Sequence, residues 1–236
     1  MEPIKIERQN VKMVSHRGAG KVWVENSRPA FENAAKCSYW GIETDIHCTK
    51  DGKFILIHDD TTDRVTECSM KVEETDFETL RNTHLVGLDG DAARLPTLAE
   101  YVNACKSGDK YAVLELKNQM PIGEIEKIIS ELEALEYLDK TVFISFSFTN
   151  MESIKALRPN QHAQYLINRE KVDEKVQKAI ELGVDIDIRY TQLTPAILDA
   201  MHRAGLCVNV WTVNDPDDAK ALIEMGVDYI TTDIFE

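Results

Sequence analysis

The sequence predicts an α/β protein: a distorted (β/α)8 TIM-type barrel with a β-hairpin after the second strand. Three observations lead there. Nine short β-branched runs punctuate the chain, and longer amphipathic segments separate most of them. Residues 41–47 (GIETDIH) and 53–59 (KFILIHD) are separated only by CTKDG, too short for a helical crossover, so they form an antiparallel hairpin. Setting the return strand aside leaves eight strands joined by long crossovers, the number that closes such a barrel. The competing architecture, an open doubly wound sheet, normally uses fewer strands. The 236 residues match one barrel of about 250 residues. We expect a single barrel domain over 1–236 with an inserted capping segment at about 60–97.

The elements follow in order. Residues 11–16 (VKMVSH) form the first strand. A helix is expected over 27–40, with Ser27 as N-cap and Pro29 in the first turn. The hairpin comes next, then the long excursion 60–97, which would cap the barrel mouth, and then the helix LAEYVNACK. Strands at 111–117, 141–147, 161–167, 184–190, 207–213 and 227–233 alternate with helices. These read at 123–138, with apolar residues at helical spacing, and at TNMESIKAL, KVDEKVQKAIEL, TPAILDAMHRAG and PDDAKALIEMG. Gly183, Gly205 and Gly226 each stand where a left-handed C-cap is expected. The eighth helix is missing or vestigial, and the N-terminal segment is expected to cover the gap.

Charge narrows the partners. Lys and Arg total 27 against 41 Asp and Glu, a formal net charge of −14. No run of Lys or Arg offsets this, which argues against nucleic acid and against stable membrane association. Two or three placed cations or a metal still suffice for a small anionic substrate. Five cysteines, at 37, 48, 68, 105 and 207, form no CxxC pair, so a disulfide framework or Cys-rich zinc site is not expected. Free thiols fit a reducing compartment. The polar N-terminus MEPIKIERQN has no signal-peptide core, and no apolar stretch approaches the ~18 residues of a membrane span. A cytoplasmic protein is expected, with self-association into a homo-oligomer left open.

Chemistry concentrates at strand ends. Residues i and i+2 of a strand share a face, which groups Glu43, Asp45 and His47, and separately Glu115 and Lys117. His16 and Arg17 end the first strand, while His58 and Asp59 lie on the hairpin return. In a barrel these C-terminal ends converge on one mouth. Clustered carboxylates raise one another's pKa, and a hard divalent cation, Mg2+ or Ca2+, relieves the repulsion. Arg17 and Lys117 suit a phosphate, and two histidines serve as acid and base on either side of phosphorus. The set makes a phosphodiester-cleaving kit. Each element alone has a bland reading: a hydrogen-bonded histidine, a solvated E-x-D edge, a local Glu–Lys pair. Their joint placement at strand ends outweighs it.

Other features carry less. Asp185 and Asp187 form a second D-x-D, read as solvated or ion-paired with Arg189 on the same face rather than as an accessory metal site. His47 is a secondary candidate for contact with substrate or metal. His84, His162 and His202 read as surface residues, and Met151, Met201 and Met225 as helical core. Gly18-Ala19-Gly20-Lys21 fails the phosphate-loop pattern, with Ser15 and Val22 at the decisive places. No G-x-S-x-G elbow supports serine-esterase chemistry.

The assembled motifs resemble the glycerophosphodiester phosphodiesterases. The matching residues are His16-Arg17-Gly18, Glu25-Asn26-Ser27, Glu43-Thr44-Asp45, Thr49-Lys50-Asp51-Gly52, His58-Asp59, Glu115-Leu116-Lys117, Trp211-Thr212-Val213-Asn214 and Thr232-Asp233, in order over residues 11–233. The resemblance implies a distorted barrel with an insertion after the His-Asp strand. It implies one divalent cation held by Glu43, Asp45 and Glu115, and His16 and His58 as the acid/base pair. Arg17 and Lys117 would bind the phosphate, with Trp211 lining a glycerol pocket. The products would be sn-glycerol 3-phosphate and an alcohol, reached by attack of the substrate's own hydroxyl through a cyclic phosphate or by direct attack of water. Ser27 replaces the family's Thr, Val24 stands where Pro is usual, and Ile234 departs from the pattern after Thr-Asp; none touches the proposed acid/base or metal groups. The alternatives are a non-catalytic glycerophosphodiester-binding barrel and a phosphodiesterase acting on lysophospholipids.

Overall fold

The computed structural model describes residues 2–236. Eight parallel strands close a barrel: β1 (Lys12–Ser15), β2 (Gly41–Cys48), β4 (Tyr111–Leu116), β5 (Thr141–Ser145), β6 (Ala163–Ile167), β7 (Asp185–Arg189), β8 (Val208–Trp211) and β9 (Tyr229–Thr232). β1 pairs with both β9 and β2, which completes the ring. The short β3 (Phe54–Leu56) runs antiparallel to β2 with Ile46 opposite Leu56, as the five-residue connection requires.

Helices coat the barrel: α1 (Arg28–Ala34), α3 (Leu98–Ser107), α4 (Ile122–Ala134), α5 (Phe148–Leu157), α6 (Val172–Leu182), α7 (Pro195–Arg203) and α8 (Pro216–Met225). Ser27 caps α1, its hydroxyl accepting from the Ala30 N–H at 3.2 Å. Gly183, Gly205 and Gly226 all have positive φ. Strand residues alternate between two cores. Val14, Val113, Val142, Ile144 and Leu166 pack together inside the barrel, while Met13, Ile42, Leu114, Phe143 and Ile186 pack with Phe31 and Ile128 of the helices. The base of the barrel is plugged by Trp40 stacked on Tyr111 at 4.2 Å, with Tyr229 beside them. The N-terminal segment lies along the C-terminal tail, the Ile4 N–H donating to the Ile234 carbonyl at 2.7 Å.

Several expectations need correction. The first helix stops at Ala34 instead of reaching residue 40, because Lys36 and Cys37 form tight turns that hand the chain to β2 through Trp40. α4 ends at Ala134, since Glu136 takes the left-handed conformation (φ 50°). Met225 is 37% exposed, at the end of a helix whose buried face is Ala219, Leu222 and Ile223. His162 is half-buried and pairs with Asp185 at 2.7 Å instead of lying free on the surface.

Residues 60–97 carry a short helix, α2 (Phe77–Arg81), that the sequence pattern does not reveal. The segment folds through three isolated bridges, Thr61 with Lys71, Thr66 with Leu85 and His84 with Arg94. Val72, Leu80, Leu85 and Leu95 give it a small core on Ile55 and Ile57 of the hairpin.

Candidate active site

The C-terminal ends of the strands converge, and each contributes a polar group. After β1 the chain turns sharply through Arg17, Gly18 and Ala19, all with positive φ (52°, 75° and 64°). Position 18 requires glycine: a Cβ there would lie 2.9 Å from the Ala30 Cβ. The turn aims the Arg17 N–H at Glu43 Oε2, 2.8 Å away. Asp45 of β2 stands directly opposite Glu115 of β4 in the parallel register. Carboxylate oxygens of Glu43, Asp45 and Glu115 all lie within 4.8 Å of one another, and all three residues are buried.

Electrostatics divides this trio. Burial, then Asp45 and Glu115, pushes the Glu43 carboxyl well up. Burial and Asp45 push Glu115 up to about 7. Burial would raise Asp45 too, but Lys117, Arg17 and His58 hold it below the usual carboxylate range. Lys117 Nζ sits 2.9 Å from Glu115 and 3.4 Å from Asp45, and Asn26 donates to Asp45 at 2.8 Å. An all-carboxylate, hard-oxygen donor set with strained protonation fits a divalent cation of the Mg2+ or Ca2+ type.

Each histidine is held by an aspartate. His16 Nδ1 lies 2.7 Å from Asp233 Oδ1, and Asn214 Nδ2 donates to Asp233 Oδ2 at 2.7 Å. His58 Nδ1 lies 2.5 Å from Asp59 Oδ1. Both rings therefore keep Nε2 as the free nitrogen. Burial pulls the His58 imidazole below its ordinary pKa, helped by Lys117 and Arg17 and opposed by Asp45. From the 60–97 segment, Arg64 grips Glu25 with two hydrogen bonds of 2.7 and 2.8 Å and donates through Nε to Asp59. Glu25 in turn accepts from Arg17 at 3.0 Å. One guanidinium thus braces both a histidine-holding carboxylate and the arm that positions Arg17.

Two cavities meet here. The smaller, about 90 Å³, is lined by His16, Glu43, His58, Glu115, Phe146 and Trp211 among others. The larger, about 830 Å³, shares His58, Glu115 and Phe146 and continues past Asp60, Lys117 and Phe148. Phe146 packs edge-on against Trp211 at 5.6 Å and stands between them.

All eight sequence-derived site residues, His16, His58, Arg17, Lys117, Trp211, Glu43, Asp45 and Glu115, lie at this one mouth. His47 does not join the carboxylates. It is fully buried above them, 3.2 Å from Glu73 and 3.4 Å from the His58 carbonyl. Asp185 is ion-paired, with His162, but Asp187 is neither solvated nor paired: its Oδ1 is buried without a partner. Sequence reasoning missed the structural duties of Asp233, Asn214, Asn26, Glu25 and Arg64. Asp233 had a signal, an inward-facing position two residues past Thr231 at the end of the last strand.

The sequence model of the Glycerophosphoryl diester phosphodiesterase family matches residues 16–236, beginning at His16 and spanning the whole site. The chain belongs to this family. A glycerophosphodiester phosphodiesterase of Caldanaerobacter subterraneus subsp. tengcongensis is 26% identical over 226 residues, covering 94% of this chain and 93% of its own. Glycerophosphodiester phosphodiesterase 1 of Mus musculus is 36% identical over 265 residues, covering 97% of this chain and 80% of its own. The family fold is also seen in an Oleispira antarctica phosphodiesterase solved with the product sn-glycerol-3-phosphate. That structure superposes with a TM-score of 0.81 at 23% identity, over 94% of this chain and 92% of that one. Among the described residues no helix is long and apolar enough to cross a membrane.

Proposed function

We propose that this member of the family hydrolyses glycerophosphodiesters to sn-glycerol 3-phosphate and an alcohol, with one divalent cation and a histidine acid/base pair. The observation that carries the reading is the pairing of two aspartate-held histidines, His16 with Asp233 and His58 with Asp59, on a cavity also lined by Glu43 and Glu115 of the buried carboxylate trio. Glu43, Asp45 and Glu115 would hold Mg2+ or Ca2+, which supplies positive charge to polarise a phosphate oxygen.

The chain's own groups do the rest. Arg17 and Lys117 bind the anionic phosphate oxygens, Arg17 as a fork and Lys117 as a point charge. One histidine Nε2 accepts the proton of the attacking hydroxyl, and the other supplies a proton to the departing alkoxide. The attacking hydroxyl belongs either to the glycerol unit itself, through a cyclic phosphate, or to water. Trp211 and Phe146 wall the small cavity on the glycerol side, and the larger cleft receives the alcohol. The 60–97 segment caps the mouth through Asp60, Thr61 and Arg64. The five free cysteines suit a reducing compartment, and we place the protein in the cytoplasm.

The test is release of sn-glycerol 3-phosphate from glycerophosphocholine or glycerophosphoethanolamine, followed with a coupled dehydrogenase. Release with Mg2+ or Ca2+, loss on chelation and recovery on re-addition is the expected result. No release with either substrate and either cation overturns the reading.

A further inference from the structure

Asp187 has no task in the chemistry above, yet its environment sets it apart. It sits at the middle of β7, on the wall of the small cavity with Trp211, Phe146 and Leu166. It is 1% exposed, and its Oδ1 has no hydrogen-bond partner. Its neighbours satisfy one another instead. Asn209, its register partner on β8, donates to Gln164 at 3.2 Å and accepts from Thr231 at 3.2 Å. Two residues earlier on the strand, Asp185 accepts from the Cys207 N–H and pairs with His162. A buried carboxyl left idle costs stability, which a ligand group entering the cavity would offset. Asp187 lies outside the carboxylate trio and offers a single carboxyl beside Trp211, Phe146 and Leu166, too few oxygen donors for a separate cation. An anion is repelled by the carboxylate and suits only the protonated acid. An alcohol hydroxyl, donor and acceptor at once, matches a carboxyl in either protonation state.

Depth identifies which hydroxyl. His16 follows β1 and Trp211 ends β8, at the mouth, whereas Asp187 stands two residues short of the end of β7. With phosphorus held at the mouth, the glycerol hydroxyl farthest from it reaches deepest. Resting on the function proposed above, we infer that Asp187 is a specificity residue that binds the terminal hydroxyl of the glycerol unit and thereby selects substrates in which that hydroxyl is free. An acyl chain there would run into buried Leu166 and Ile144, so 1-acyl lysophospholipids are excluded.

The test compares kcat/KM for glycerophosphocholine with that for its 1-deoxy analogue, the propane-1,2-diol phosphodiester of choline, which keeps the inner hydroxyl. Wild type should prefer the glycerol substrate about 10- to 100-fold. Asp187→Ala should bring that ratio toward one, chiefly through KM, and Asp187→Asn should retain most of it. A merely structural role lowers both substrates together and leaves the ratio intact, which contradicts the inference. If the alanine variant does not fold, the wild-type ratio and the asparagine variant still decide. Equal use of both substrates by wild type, or cleavage of 1-acyl lysophosphatidylcholine at a comparable rate, overturns the inference while leaving the function standing. If wild type cleaves none of them, the functional reading fails and this inference with it.

Discussion

His16 and Asp233, 217 positions apart in the chain, meet at 2.7 Å because β1 and β9 are neighbours in the closed barrel. The aspartate, itself steadied by Asn214, holds the imidazole through Nδ1 and leaves Nε2 unengaged, as the proposed acid/base role requires. Asp233→Asn keeps the shape but offers an amide N–H where Nδ1 needs an acceptor. We expect kcat to fall by about 10²–10⁴-fold with little change in melting temperature. Steady-state kinetics beside a thermal melt checks this, and an undiminished kcat removes Asp233 from the site.

Arg64 makes a second long-range link, from the 60–97 segment to Glu25 and Asp59. Its removal in Arg64→Ala should loosen Arg17 and His58 together, raising KM and lowering kcat, with a combined loss of about 10²-fold in kcat/KM. Arg64→Lys should recover only part, since a lysine lacks the planar fork that grips both carboxylate oxygens of Glu25. Full recovery by lysine would show that charge alone matters.

The same link sets a pH dependence. Burial opposes it, but the hydrogen bonds from Arg64 and His58 bring the Asp59 carboxyl down to about 2. Its folded pKa lies below the unfolded value of ~3.9, so its stabilising contribution is complete above about pH 4 and is lost as the pH falls through about 2. Solvent reaches this group, which limits the effect to the order of 1 kcal/mol. Chemical denaturation at pH 6 and at pH 2.5 should show wild type losing more stability than Asp59→Asn; parallel losses would contradict the assignment.

Much of this was legible from local spacing. The CTKDG connection was too short for anything but a hairpin, and Glu43 and Asp45, two apart on a strand, had to share a face. Direct pairing of β2 with β4, the next parallel strand in the chain, then brings Glu115 opposite Asp45. What stayed hidden depends on closure or on irregular chain. The Asp233–His16 pair requires the last strand to return beside the first. Arg64 lies in a segment without periodicity, and its grip on Glu25 spans two loops. His47 shares a face with Asp45, yet lies one step past the mouth, where Glu73 and the hairpin enclose it. The isolation of Asp187 appears only once the partners of its neighbours are known.

The carboxylate trio makes a prediction about stability as well as binding. Glu43 and Glu115 are both pushed up by burial and mutual repulsion, so Glu43→Gln should stabilise the cation-free protein by about 1 kcal/mol, roughly 2–4 °C in melting temperature. Mg2+ or Ca2+ should raise the melting temperature of wild type, because a ligand of the native state stabilises it, and should raise that of the variant far less. Equal shifts in the two proteins would place the cation elsewhere.

The central claim is that strand ends distant in sequence assemble a histidine pair around an anionic phosphorus centre. Its most direct measurement is sn-glycerol 3-phosphate release from glycerophosphocholine by wild type, His16→Ala and His58→Ala at saturating divalent cation. Each alanine variant should remain folded and lose about 10²–10⁴-fold in kcat; turnover near the wild-type rate in both would contradict the account.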